Sequence, residues 1–207
     1  MKIVIDGCKD LVIADENETL GQLITQLEEW IKDNKRVIVQ AKLEGKSLSE
    51  KDKKVLLNRK VSEFKILELS TANLWQWAVD SLEDIKIYLP EIARQMEKVS
   101  FLIQQGDCRS AFSLLGRYTG LWDEINEALA KIEKIFALDY TQILLKEEKT
   151  SYETRQIVQF LKKAKRAIKD NDLLTLADVL EYELAPRIRE EKRVVEQIIN
   201  MVKYQMN

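Results

Sequence analysis

The sequence predicts an α+β protein in two parts: a small N-terminal unit of strands and one helix, then an antiparallel four-helix bundle of long helices. Three observations predict it. Residues 1–70 hold short β-branched runs set around one amphipathic stretch and separated by turn residues. Residues 74–136 carry two heptad stripes: Ala78, Leu82, Ile85, Leu89, Ile92, Met96, Val99, Ile103, and Ala111, Leu115, Tyr118, Trp122, Ile125, Leu129, Ile132, Phe136. Steps of four and three keep one helix seam apolar along its length. Between the stripes stand Gly106, suited to a left-handed helix end, and Asp107, suited to the next N-cap, so the chain should reverse tightly.

In the N-terminal unit, residues 2–6 form a β-branched run, residues 7–9 supply a turn and residues 11–13 form a second run. Thr19 starts a helix, with Gln22 three residues on as in a capping box, and Leu20, Leu23, Leu27 and Ile31 form its buried face beside Trp30. Residues 36–41 read as a third strand and residues 43–48 as a turn into a short fourth. A polar, Lys-rich turn or short helix occupies residues 49–57, and residues 64–69 close the unit as a fifth strand.

This β-β-α-β-β-β order resembles the ubiquitin-like β-grasp fold. The resemblance covers about a third of the chain and rests on element order, so it implies a fold and no activity. Ubiquitin and the sulfur carriers of that fold end in a free Gly-Gly. Here residues 69–72 run into a helix, which speaks against conjugation or thiocarboxylate chemistry.

Asn73 with Gln76 caps the first long helix, expected to reach residue 105 with a kink before Pro90. The second runs over residues 109–137. Asp139 caps a third stretch, interrupted at residues 146–149 and restarted by a capping box of Thr150 and Glu153. Residues 170–172 end that helix and cap a fourth, which extends to about residue 204 with a bend before Pro186. Equal lengths and tight turns argue for up-down-up-down packing. Domains are therefore expected at residues 1–70 and 73–207.

Composition narrows function by exclusion. The formal net charge is −2, with 33 Lys+Arg against 35 Asp+Glu, so no global basic field draws in nucleic acid or an anionic membrane. The chain contains no histidine. That removes Ser-His-Asp and Cys-His nucleophile systems, imidazole bases and most zinc or di-iron sites. Cys8 and Cys108 stand alone, without CxxC spacing. The first ten residues lack the apolar region of a signal peptide, and no run approaches a membrane span, so a cytoplasmic protein is expected. No catalytic, cofactor-binding or metal-ligating residue is assigned.

The candidate partner-binding residues are Trp75, Trp77, Lys162, Lys165, Arg166 and Lys169. At 100° per residue the four cations share a stripe opposite Ile157, Leu161, Ala164 and Ile168, either an acidic-partner face or a solvated face paired with nearby Glu residues. Trp75 and Trp77, two residues apart on a helix, cannot both face inward. Asp178 and Glu181 read as surface charge, and Arg187 with Glu191 as an ion pair where the last seam turns polar. Tyr118 and Trp122 are expected in the core, and Gly116 with Gly120 at a tight helix crossing. The function expected is that of a non-catalytic interaction protein, an adaptor, assembly or chaperone-like protein, that binds another protein and is compatible with a homo-oligomer. The alternative is a small-ligand binder or carboxylate-based enzyme with its site in the cleft between domains.

Overall fold

The computed structural model describes residues 1–9, 15, 17–48, 52, 55–140, 144, 145 and 148–206. The chain is mixed α+β and divides into two compact units, Met1–Trp77 and Ala78–Asn207.

The first unit is a five-stranded mixed sheet with one long helix against it. The strands are β1 (Lys2–Ile5), β2 (Cys8–Lys9), β3 (Arg36–Leu43), β4 (Lys46–Ser47) and β5 (Ile66–Asn73), in the order β2-β1-β5-β3-β4. β1 and β5 are parallel and the other pairs antiparallel. Helix α1 (Leu20–Asp33) opens on the Thr19–Gln22 capping box, and Leu20, Leu23, Ile24, Leu27 and Ile31 form its buried stripe. These close on Ile3, Ile5, Ile38, Ala41, Leu43, Leu67 and Leu69 from the sheet, with Val61 from a short 3-10 turn. Trp30 lies outside this core, 48% exposed.

Two boundaries differ from the sequence reading. The first hairpin turns on Asp6-Gly7, both at positive φ, so Cys8 already pairs with Ile5. An Asp-Gly pair suits the two-residue turn whose twist matches the strands. The expected second run at residues 11–13, and much of the expected turn at residues 49–57, lie outside the described residues. β5 continues to Asn73 because Ser70 to Asn73 stay paired with β3, so no linker precedes the helix. The register slips at Val39, which stands as an exposed bulge.

Among the described residues the second unit contains five helices and a pair of short strands. Helix α2 (Leu74–Gln104) continues through Pro90, and α3 (Cys108–Phe136) follows after one turn. Gly106 takes φ +80°, and the Asp107 carboxylate accepts the Ser110 N–H at 3.1 Å. All eight residues of the first stripe are buried. In the second, Ala111, Leu115, Ile125, Ile132 and Phe136 are buried, whereas Tyr118, Trp122 and Leu129 are only half-buried.

Within the stretch that Asp139 was expected to cap as a helix, the described residues include two short strands. Leu144–Leu145 and Glu148–Lys149 pair as a short hairpin, β6 and β7, before α4 (Thr150–Lys169). The side chains of the proposed Thr150–Glu153 box lie outside the described residues. Asp172 caps α5 (Leu173–Asp178) by accepting the Thr175 N–H at 3.0 Å. A π-helical segment, Val179–Leu184, joins α5 to α6 (Ala185–Met206).

That segment stands where a bend was expected. Pro186 offers no N–H, and the chain instead adopts the wider turn in which the Ala185 N–H reaches the Leu180 carbonyl. Ile188, Val195 and Val202 continue the buried stripe, and the Arg187 side chain beside Ile188 is only 11% exposed. Arg187 Nη1 donates to Glu190 at 2.6 Å.

Antiparallel packing of α6 on α2 is visible in two pairs. Arg189 bonds Glu97 at 2.6 Å. Near the other end the Glu83 carboxyl is held below its ordinary range first by Lys86 and further by Lys203. Each step forward on α2 is a step back on α6. Lys163 of α4 pairs with Glu183 of the π segment, and Gln205 of α6 donates to the Phe136 carbonyl at 3.1 Å.

Candidate functional site

The basic stripe of α4 is presented as its spacing predicts. Lys162, Lys165, Arg166 and Lys169 are all exposed, while Ile157, Ala164 and Ala167 form the buried side. Ile168, expected on the apolar face, is 43% exposed, since the helix turns Ala167 inward instead. Arg166 pairs with Asp170 one turn on at 3.5 Å. Among the described residues no carboxylate lies within ion-pair distance of Lys162, Lys165 or Lys169. Trp75 and Trp77 are each half-buried in the first unit, and the cations of α4 belong to the second.

Sequence reasoning missed a groove between α2 and α3. It has a volume of about 390 Å3 and is lined by Tyr88 and Glu91 from α2 and by Arg117, Tyr118, Gly120, Leu121 and Glu124 from α3. Gly116 and Gly120 do not mark a tight crossing with any of the described residues: a Cβ on either would meet none of them within 4 Å. Two bulky seam residues, Tyr118 and Trp122, alternate with these glycines, and that is the sequence signal that could have revealed the opening. The Arg117 guanidinium lies 5.8 Å from the centre of the Tyr118 ring, within cation–π range. Glu91 accepts from Gln95 at 2.6 Å and also from Arg94, and these donors hold its carboxyl below the ordinary carboxylate range.

A polar junction links α2 to the π segment. Ser100, fully buried, donates to Glu181 at 2.8 Å, and Gln104 donates to Ser100 at 3.2 Å. Glu181, read from sequence as surface charge, thus receives a hydrogen bond from another helix. The hydroxyl of a buried serine needs such a partner, which gives the junction a structural role. Tyr182 beside it is exposed, and its hydroxyl is pushed above its ordinary range by Glu181.

Cys8 is exposed, Cys108 half-buried, and both are free thiols. Among the described residues, no helix is long and apolar enough to cross a membrane.

These features define a protein with a small mixed sheet followed by a helical unit that offers a basic face and an open groove. Residues 80–194, more than half the chain, match the family described as Domain of unknown function (DUF8042), and the chain belongs to that family. Residues 1–73 match the TP0873 N-terminal domain. An uncharacterized protein of Treponema pallidum (strain Nichols) is similar to it, 21% identical over 197 residues that span 92% of this chain and 94% of that protein. No solved structure matches the chain significantly.

Proposed function

We propose that the protein is a non-catalytic interaction protein, of adaptor, assembly or chaperone-like type, that binds an acidic surface of another protein through the exposed face of α4. The observation that carries this reading is the set of three lysines, Lys162, Lys165 and Lys169, on one face with no carboxylate of the described residues within ion-pair distance. Lone surface ion pairs contribute little, but a row of unneutralised cations raises the local potential and speeds encounter with an oppositely charged partner. Trp75 and Trp77, half-buried, are secondary candidates. Binding by strand addition has less support, because the outer strands β2 and β4 are two residues each as described.

The same reading takes the first unit as a β-grasp domain and the second as a four-helix bundle, in a cytoplasmic protein. Support for the first is the strand order with its parallel β1–β5 pair and α1 on one face. Support for the second is the α2–α3 reversal, the antiparallel α2–α6 pairs and the close α4–α5 turn.

Lys162→Glu, Lys165→Glu and Lys169→Glu combined provide the test. Partners cross-linked to the full chain in its native host should be lost from the triple variant and from high-salt extracts, with an unchanged thermal melt. Recovery of the same partners by parent and variant would remove the basic face from the function.

A further inference from the structure

The groove between α2 and α3 has a property that the packing of the chain does not account for. Glycine inside a helix is unfavourable, and it is usually compensated by a neighbour that needs the space. Among the described residues Gly116 and Gly120 have no such neighbour, since a Cβ on either would meet nothing within 4 Å. Gly120 instead borders the groove, where a side chain would occupy the opening.

The lining states the chemistry that the opening suits. Tyr88, 46% exposed, and half-buried Tyr118 offer aromatic surface, and Glu91 and Glu124 add two carboxylates. Glu91 already accepts from Gln95 and Arg94, whereas Glu124 makes no hydrogen bond or ion pair among the described residues. Aromatic rings beside a carboxylate favour a cation over an anion or a neutral group. The chain supplies its own example, because the Arg117 guanidinium lies over the Tyr118 ring at 5.8 Å. A planar guanidinium stacks on a ring and meets a carboxylate with two donors, which an ammonium cannot do.

We propose that this groove binds the guanidinium of an arginine on a partner polypeptide. Tyr118 and Tyr88 provide the aromatic walls and Glu124 the counter-charge. Gly120 leaves room for the incoming main chain, and Arg117 is the internal group that the incoming arginine displaces. This reading shares with the proposed function only the idea of a polypeptide partner. It concerns a different face of the helical unit and a basic rather than an acidic segment.

The test titrates the full chain with a fluorescent peptide of alternating glycine and arginine, followed by anisotropy. Matched peptides carry lysine or uncharged citrulline in place of arginine, and free arginine amide serves as competitor. The arginine peptide should bind at least several-fold more tightly than the lysine peptide, and the citrulline peptide should not bind. Glu124→Gln and Tyr118→Leu should each weaken binding about tenfold, while Tyr118→Phe, which keeps the ring, should bind like the parent. Arg117→Ala should tighten binding, a gain that a merely structural role for Arg117 would not produce. Gly120→Leu should abolish binding without changing the circular dichroism spectrum. The proposal is overturned by absence of binding to both parent and Arg117→Ala, or by equal binding of the arginine and lysine peptides that Tyr118→Leu leaves intact. Free arginine amide that competes as well as the peptide, arginine for arginine, would assign the groove to a small molecule and overturn the polypeptide. The lysine variants of α4 should leave this titration unchanged, so either reading can fail without the other.

Discussion

Asp6 and Thr71, sixty-five residues apart, are joined by two hydrogen bonds: Asp6 Oδ1 accepts the Thr71 N–H at 2.7 Å, and Oδ2 accepts the Thr71 hydroxyl at 2.6 Å. Arg36 adds its guanidinium to the same carboxylate at 3.1 Å and to the Thr71 carbonyl at 3.1 Å. The first turn is thereby pinned to the far half of β5, in the stretch between the two domains expected from sequence.

This arrangement makes a pH-dependent contribution. The Thr71 hydrogen bonds, and secondarily Arg36, hold the Asp6 carboxyl below its ordinary value of 3.8. A depressed carboxyl pKa gives stability that is present above the unfolded-state value and lost as pH falls through the folded one. Asp6→Asn should therefore destabilise at neutral pH by about 1 kcal/mol, a figure reduced for the partial exposure of the site. The difference from the parent should shrink below about pH 4. Urea melts at neutral and acid pH check it, and a gap that stays constant would rule out the carboxylate as its source.

The two heptad stripes should not be equally sensitive. Ile92 is 1% exposed, so Ile92→Ala should cost about 2–5 kcal/mol in denaturant melts. Leu129 was expected in the core but is half-buried, so Leu129→Ala should cost clearly less, about 1–2 kcal/mol. Equal losses would show that the second stripe is as deeply packed as the first.

Glycines should respond with opposite signs. Gly116→Ala and Gly120→Ala add a Cβ that touches none of the described residues and should each raise stability by up to about 1 kcal/mol. Gly21→Ala places its Cβ 3.0 Å from both the Leu57 carbonyl oxygen and Leu57 Cδ2. It should lower stability or leave the helix gain cancelled. Thermal melts of the three variants decide this, and stabilisation by Gly21→Ala matching the other two would contradict the close approach.

Tyr140 should mark the alkaline limb of stability. Its hydroxyl donates to the Leu129 carbonyl at 2.9 Å, and burial, with Glu133 nearby, pushes its pKa well above the ordinary 10.0. A raised folded-state value gives stability that is complete below the unfolded value and declines as pH rises beyond it. Tyr140→Phe should be less stable than the parent near neutrality, with the gap narrowing above about pH 10. Absorbance titration should show at least one tyrosine fewer ionising in the folded parent than in the unfolded chain over that range, and Tyr140→Phe should reduce that deficit by one.

By itself the sequence determined where helices lie and which faces they bury, because such features depend on neighbours three to seven residues away. The Thr19–Gln22 box, the Gly106–Asp107 reversal and the buried stripe from Ala78 to Ile103 are of this kind. So is the display of Lys162, Lys165, Arg166 and Lys169 on one face. Tertiary structure alone decided what depends on residues far apart. Pairing with β3 extended β5 to Asn73, and a π-helical segment stands where a bend was expected before Pro186. The groove between α2 and α3 leaves Tyr118 half-buried, and Trp122 and Leu129 farther along the same stripe are half-buried too. A heptad pattern specifies which side of a helix is apolar, but how closely the neighbouring helix approaches depends on the side chains of both, and a one-dimensional pattern does not contain that distance.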